Sequence, residues 1–228
     1  MLGWVICREE GRQVRPRTQV LTVCGLPLLT VELAAPRSRW GMRRAVRALE
    51  RLASEGVRRV VVQGPLPQEL LRAAGLRAVE CAPLRRALLP RLLDWAEQVW
   101  ELPLRQGTVG LRAERTDEET CRTALLLARR ARYLLTDTGP GQAALEAELL
   151  RRCGVGGAPA GEAALWVSLG GAVPGPALYL GEREVCRQRL QLSASRLPEG
   201  EEMLFSALYA AGKLTIGEIT IKSVEFCA

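Results

Sequence analysis

Short apolar runs with the character of β-strands fill the first 35 residues. One run covers Leu2 to Cys7, and the stretch TQVLTVCGLPLLTVELAAP holds two more that are joined at Gly25-Leu26-Pro27. Two such runs separated by a glycine-bearing turn predict an antiparallel hairpin or a meander.

After Pro36 the spacing of apolar residues changes to that of a helix. In WGMRRAVRALERLASEG the apolar residues recur at helical intervals on one face, and Gly56 supplies a stop signal. The residues of that predicted buried face are Met42, Ala45, Val46, Leu49 and Leu52.

Strands and helices then alternate as far as Gly154. RRVVVQG, LRAVE, the segment around Thr108 to Glu114 and RYLLTDT have strand character, and helical segments lie between them. Pro90 lies inside one of these helices, where we expect a kink or a break. Thr116 to Glu119 has the pattern of a capping box that begins another helix. This rhythm predicts βαβ units with parallel strands.

Beyond Gly154 we expect a glycine-rich connector, a buried strand LWVSLGG and a hairpin that turns at Gly181-Glu182. A helix as far as Gly212 and an alternating closing segment follow. The predicted fold is therefore α/β: a mainly parallel, Rossmann-like sheet flanked by helices, with an N-terminal antiparallel hairpin and a C-terminal hairpin plus helix. We place a hairpin and α/β module in residues 1–103 and a Rossmann-like module in 104–228, with one continuous domain as the alternative.

The composition is that of an ordinary globular protein, with 48% hydrophobic and 25% charged residues among 228. No apolar run approaches the roughly 20 residues that span a bilayer. The N-terminal MLGWVICREEGRQ lacks the basic region of a secretory signal, so we expect a cytoplasmic protein without membrane contact. Seven scattered cysteines without any C-x-x-C pair indicate reduced thiols and no metal site.

Histidine is absent from the chain, and aspartate occurs only at Asp94, Asp117 and Asp137. Without histidine, Ser-His-Asp and Cys-His catalysis and His-containing zinc sites are excluded. No D-x-D pair supports a carboxylate-held magnesium ion. We therefore assign no catalytic residue, favour a protein that is not an enzyme, and leave its cofactor unknown.

The turn from Gly139 to Ala144 is the nearest approach to a functional motif, because it satisfies G-x-G-x-x-A. In dinucleotide-binding folds such glycines let the backbone and a helix N-terminus reach the pyrophosphate. Here Asp137 would place a negative charge beside the phosphates, and Pro140 removes a backbone donor. The simpler interpretation is a helix start, with Thr138 or Gly139 as the cap, Pro140 near the first helical position and Gly154 at the far end.

A second candidate site lies where the predicted parallel strands end. If the strands that end near Arg112 and Asp137 are neighbours, Arg112 and Arg115 could hold a phosphate or carboxylate beside Thr138, Gly139 and Gly141. Surface pairing of these arginines with nearby carboxylates explains the same residues.

The net charge of +7 is unevenly placed, since residues 1–100 carry 17 basic and 9 acidic side chains. Arg39, Arg43, Arg47 and Arg51 lie on one face of the first predicted helix. Such a row could contact phosphates. However, Glu50 and Glu55 are within pairing reach and aromatic residues are few, so we favour a solvated face or a surface for an acidic protein over nucleic acid.

Two functional hypotheses follow. The favoured one is a non-catalytic binding or accessory protein on a degenerate nucleotide-binding-type scaffold, with a protein partner or self-association. The alternative is an enzyme or sensor that binds a nucleotide or another anionic small molecule at the carboxyl ends of the parallel strands.

Overall fold

The computed structural model describes residues 1–9, 18–156, 162–181 and 188–226, which belong to two units. The first unit comprises residues 1–84 and 191–222, and the second comprises 85–190 and 223–228. These units are defined by contacts and not by independent folding, so the division after residue 103 stays a prediction.

The helices and strands of the described residues are, in chain order, β1 (Leu2–Arg8), β2 (Thr18–Val23), β3 (Leu26–Ala34), α1 (Arg39–Ser54), β4 (Arg59–Gln63), α2 (Gln68–Ala73), β5 (Arg77–Ala78), α3 (Ala82–Val99), β6 (Thr108–Arg112), α4 (Glu118–Ala128), β7 (Tyr133–Asp137), α5 (Gln142–Cys153), β8 (Leu165–Ser168), β9 (Ala177–Tyr179), β10 (Gln188–Ala194), β11 (Leu197–Glu201), α6 (Glu202–Ala210), a 3₁₀ turn (Ile216–Glu218) and β12 (Ile219–Phe226).

The first unit contains a five-stranded sheet in the order β2-β3-β1-β4-β5. Strands β3, β1, β4 and β5 are parallel, and only β2 runs antiparallel, paired with β3. The predicted hairpin is therefore confirmed, with Cys24 and Gly25 at positive φ in its turn. The meander is wrong, because β1 pairs in parallel with β3 and also with β4, in the centre of the sheet.

The core of the first unit forms where α1 and α2 pack against this sheet. The side chain of Ser38 caps α1 by accepting a hydrogen bond from the backbone N–H of Gly41 at 3.1 Å. Ala45, Leu49 and Leu52 of α1 are buried as predicted. Met42 is instead 42% exposed, because the apolar period assigns a face of the helix but not how far along its axis the covering elements reach.

The second unit contains a four-stranded sheet in the order β7-β6-β8-β9, with all strands parallel. Helices α4 and α5 pack against each other and against β7. The predicted α/β class, with parallel strands flanked by helices, is confirmed. The parallel strands are divided between two sheets, which the alternation of strands and helices does not reveal.

The C-terminal part corrects one predicted turn. The antiparallel hairpin is formed by β10 and β11 and turns at Ser195-Arg196. A turn at Gly181-Glu182 is wrong, because β9 pairs in parallel with β8 and not with β10, and Glu182 itself lies outside the described residues. The predicted helix and closing segment correspond to α6 and β12.

Pro90 does not break α3, which continues from Ala82 to Val99. The proline removes one intrahelical hydrogen bond. Buried leucines on both sides of it, Leu88, Leu89, Leu92 and Leu93, hold the two halves of the helix in the core. Their burial outweighs the loss of that one bond.

Candidate functional site

The carboxyl edge of the sheet in the second unit brings the predicted site residues together. Arg112 at the end of β6 is in register with Asp137 of β7 on one side and with Ser168 of β8 on the other. The next strand in the chain, β7, lies on one side of β6, and the strand after that, β8, lies on the other side. In open α/β sheets, ligands bind at such a reversal of strand order.

Arg112 has its charge compensated within the protein. Its Nη1 forms an ion pair and hydrogen bond with Oδ2 of Asp137. Its Nε is buried and has no hydrogen-bond partner among the described residues. The loop after β8 lies close by, since a Cβ on Gly171 would be 3.6 Å from that Nε. An anion at this edge would therefore compete with Asp137 for Arg112.

Arg115 is also paired, through a contact of 3.1 Å between its Nε and Oδ2 of Asp117. Asp117 caps α4 by accepting hydrogen bonds from the backbone N–H and the hydroxyl of Thr120, both at 2.9 Å. The backbone N–H of Thr120 is the main cause that lowers the pKa of Asp117, and Arg115 adds to it. The capping residue is thus Asp117, and the predicted cap at Thr116 is wrong because the Thr116 hydroxyl donates to that of Thr138 at 3.1 Å.

The glycine turn packs against the segment that follows β6. Gly139 and Gly141 have φ of 62° and 93°, which glycine adopts readily. A Cβ on Gly139 would lie 3.0 Å from the carbonyl oxygen of Glu114, and one on Gly141 would lie 3.0 Å from Cβ of Thr116. Both glycines therefore permit close packing between two loops, and the space a phosphate would need is occupied on that side.

Helix α5 begins two residues later than predicted, at Gln142 and not at Pro140. Its cap is Gly141, so Pro140 precedes the helix and neither Thr138 nor Gly139 caps it. The physical reason is that Gly141 has a left-handed conformation, which is not helical, so the helix starts after it. The predicted end of this helix is confirmed, since Gly154 is its C-terminal cap, with φ of 66°.

Several polar residues at this edge were not identified from the sequence. Thr136 donates to Oε1 of Glu146 at 2.5 Å, and Gln142 donates to the same oxygen at 2.8 Å. Ser168 donates to the carbonyl oxygen of Gly171 at 2.8 Å. The only sequence signal for the last contact is the Gly170-Gly171 pair directly after a buried strand. These bonds satisfy the hydroxyls of Thr136 and Ser168 and the amide of Gln142 from within the protein.

Acidic side chains outnumber basic ones around the edge. Arg112 and Arg115 face a larger number of carboxylates in the same loops and in the first turn of α4. The acidic residues are Glu114, Asp117, Glu118, Glu119 and Asp137. This excess opposes the approach of an anion.

The arginine row predicted on α1 is exposed. Arg39, Arg43, Arg47 and Arg51 all lie on the surface. Among the described residues, none of the four forms an ion pair, and neither Glu50 nor Glu55 pairs with them. Trp40 was not identified from the sequence; it is 75% exposed and lies beside this row. Its spacing of three and seven residues before Arg43 and Arg47 was the available signal.

A cavity of about 210 Å³ lies in the first unit. Its lining residues are Trp4, Val61, Gln63, Leu197, Gly200, Glu201 and Leu204. This volume is below the roughly 300–1,000 Å³ of typical small-molecule sites. The cavity contains none of the predicted site residues.

Neither a metal site nor a membrane span is present in the part of the chain that the structure describes. Within those residues, no three Cys, Asp or Glu side chains cluster closely enough to hold a metal ion. No helix of that part has the length and apolar character needed to cross a bilayer. Cys7, Cys24, Cys81, Cys121 and Cys153 are free thiols, and Cys186 and Cys227 lie outside the described residues.

No protein-family model and no curated protein sequence matches this chain. Among solved structures it is similar to apo D-lactate dehydrogenase from Escherichia coli, with 19% identity over 57% of this chain and 48% of that one, at a TM-score of 0.29. It is also similar to L-tryptophan dehydrogenase from Nostoc punctiforme, with 12% identity over 73% and 55%, at a TM-score of 0.30. The chain thus spans about half the length of these two proteins, and likenesses at such TM-scores carry no argument about its ligand or reaction.

Proposed function

We propose that this protein is a non-catalytic binding or accessory protein, built on a nucleotide-binding-type scaffold whose ligand edge is filled by its own side chains. The observation that supports this proposal is the contact set at the carboxyl edge of the second unit. Asp137 neutralises Arg112, and the segment from Glu114 to Thr116 lies against both glycines of the G-x-G turn.

A dinucleotide needs space next to such glycines, because its pyrophosphate must approach the backbone and the helix N-terminus. Here the carbonyl oxygen of Glu114 and the side chain of Thr116 occupy one side of the turn. A carbonyl oxygen is also an acceptor and repels phosphate oxygens. The excess of acidic side chains around the edge also repels phosphate.

Asp117 at this edge is a poor candidate for acid–base catalysis. A general acid or base works best with a pKa near the operating pH. The pKa of Asp117 is shifted in the opposite direction, below its ordinary value, because its carboxylate caps α4. Asp117 therefore serves as a helix cap, and histidine, the commonest general base, is absent from the chain.

A thermal-shift screen tests this proposal. The purified chain is heated with NAD, NADP, ATP, GTP, S-adenosylmethionine or coenzyme A at fixed salt. A ligand present at about 100 times its Kd would stabilise the protein by about 2.7 kcal/mol, which for a chain of this size raises Tm by about 5 to 11 °C. We expect no such shift with any of the six compounds.

The alternative function is an enzyme or sensor for an anionic small molecule at Arg112, Arg115, Asp137, Thr138, Gly139 and Gly141. It is favoured by the convergence of these residues at one edge and by the buried Nε of Arg112 without a partner. A shift in the screen that disappears in Arg112→Gln, grows in Asp137→Asn and persists in Arg105→Gln would establish it. Arg105 is a suitable control because it is an exposed arginine of the same unit.

A further inference from the structure

We propose that the exposed face of α1 binds single-stranded nucleic acid, with Trp40 stacking on a base and the arginine row contacting phosphates. We call this surface the Trp40 face; it consists of Arg39, Trp40, Arg43, Arg47 and Arg51. The inference rests on the proposed function, because it names the partner class of a binding protein whose nucleotide edge is filled.

The arginines of the Trp40 face form a regular row. They recur every four residues, which on a helix gives steps of about 6 Å and a total length of about 18 Å along the axis. Within the described residues no carboxylate neutralises any of them. A row of unpaired guanidinium groups is suited to several consecutive phosphates of one strand.

Trp40 lies within this row. It precedes Arg43 by three residues and Arg47 by seven, so all three side chains are on the same side of α1. Trp40 is 75% exposed, which leaves its ring available for a partner. Aromatic rings among basic residues are the platforms on which unpaired bases stack in single-strand-binding proteins. Bases of a duplex are already stacked on one another, so the exposed ring favours a single strand.

The surroundings of Trp40 fit nucleic acid better than an acidic protein. Tryptophan and arginine are enriched at protein–protein interfaces as well, so composition alone does not choose the partner; the regular spacing of four arginines around one exposed ring matches a strand with evenly spaced phosphates and unpaired bases. Trp40 has arginines as its helical neighbours, and the nearby exposed Met42 is two residues away, on another side of the helix. The sequence-based preference for a solvated face or an acidic protein relied on pairing by Glu50 and Glu55 and on the scarcity of aromatic residues. Among the described residues neither glutamate pairs with the row, and Trp40 is an exposed aromatic residue within it.

The long-range charge of the chain supports the same partner. By sequence, the first unit carries 17 basic and 11 acidic side chains, a net charge of +6, whereas the second carries 15 basic and 14 acidic side chains. Such a field attracts polyanions and accelerates their encounter with the protein. The Trp40 face then provides the local contacts.

Fluorescence anisotropy with labelled oligo(dT) of about 20 nucleotides tests the proposal; this length exceeds the roughly 4–16 nucleotides that one small domain covers. Kd is measured between about 50 and 200 mM NaCl, where log Kd changes linearly with log salt. We expect Trp40→Ala to weaken binding about 5- to 150-fold, the equivalent of one stacked base. Because tryptophan carries no charge, the salt slope should stay the same.

The double variant Arg43→Gln/Arg47→Gln should reduce the salt slope by about 1.4, at about 0.7 for each phosphate contact with a single strand. The matched control is Arg122→Gln/Arg129→Gln, which removes the same charge from two exposed arginines, one within α4 and one at its C-terminal cap. This control should keep the wild-type slope and lose little affinity. All variants should keep the wild-type Tm, since each altered side chain is exposed.

Four results would overturn the inference: no binding of oligo(dT), equal loss in the α4 control, unchanged affinity in Trp40→Ala, or Trp40-dependent binding of poly-L-glutamate in place of the oligonucleotide. The last result would assign the Trp40 face to an acidic protein. None of these four outcomes bears on the nucleotide screen. A shift with NAD or ATP would contradict the proposed function whatever the oligonucleotide does.

Discussion

Replacing Gly141 by alanine tests whether the G-x-G turn exists for packing. In the structure Gly141 has φ of 93°, and an added Cβ would lie 3.0 Å from Cβ and 3.1 Å from Oγ1 of Thr116. The substitution therefore combines an unfavourable backbone conformation with a steric contact. Gly154→Ala is the matched control, because Gly154 also has a positive φ of 66° but nothing within 4 Å of its added Cβ.

The two costs can be separated by comparing these variants. A left-handed conformation costs a residue with a Cβ about 1 to 2 kcal/mol, and both variants include that cost. Overpacking adds typically about 1 to 3 kcal/mol, and only Gly141→Ala includes it. The loss of unfolded-state entropy on replacing glycine is common to both and cancels in the difference. We expect Gly141→Ala to be the less stable variant by about 1 to 3 kcal/mol.

Urea unfolding followed by circular dichroism measures this difference as a change in midpoint at constant m-value. A third variant, Gly141→Ala/Thr116→Gly, removes the atoms that the new Cβ would contact. The two substitutions should then be coupled by about 0.5 to 3 kcal/mol. Equal stability of Gly141→Ala and Gly154→Ala, or additive effects in the double variant, would refute the packing role of the turn.

Three further predictions concern other parts of the chain. Met203→Leu removes the Sδ atom that accepts a hydrogen bond from the backbone N–H of Val62 at 3.0 Å. The free energy of unfolding in urea should therefore fall by about 1 kcal/mol, whereas Met42→Leu, at an exposed position, should leave it unchanged. The pKa of Asp117 is lowered, so its charge stabilises the folded protein at pH values above the ordinary aspartate pKa of about 3.9, and this contribution is lost as pH falls below it. The difference in unfolding free energy between wild type and Asp117→Asn, measured in urea titrations, should therefore shrink as pH decreases through that range. Burial raises the pKa of the Cys7 thiol, with Glu9 adding to the shift, so iodoacetamide followed by peptide mass spectrometry at neutral pH should label Cys7 last among the described cysteines.

The elements and their class could be predicted from local patterns. The buried face of α1 follows from helical spacing, and the hairpin of β2 and β3 from its glycine turn. The proximity of Arg112 to Asp137 follows from parallel strands that end at one edge. Each of these predictions needs only the local sequence pattern and one general rule of helix or sheet geometry.

The remaining features depend on contacts between distant segments. The pairing of β1 with both β3 and β4 joins segments up to about 57 residues apart, and no local pattern specifies it. The packing of Gly141 on Thr116 is likewise set by how two loops meet. The exposure of Trp40 could have been predicted from its position beside the arginines.

Hydrogen exchange measured by mass spectrometry reports on the glycine turn itself and therefore on whether a nucleotide can bind there. The chain is exchanged in the presence and absence of NAD or ATP at millimolar concentration, and the peptides that cover residues 108–116 and 133–156 are compared. We expect the same exchange in both conditions, since the turn is already packed against Thr116. Protection of these two segments by either nucleotide, with the rest of the chain unchanged, would contradict it and identify the turn as a nucleotide site.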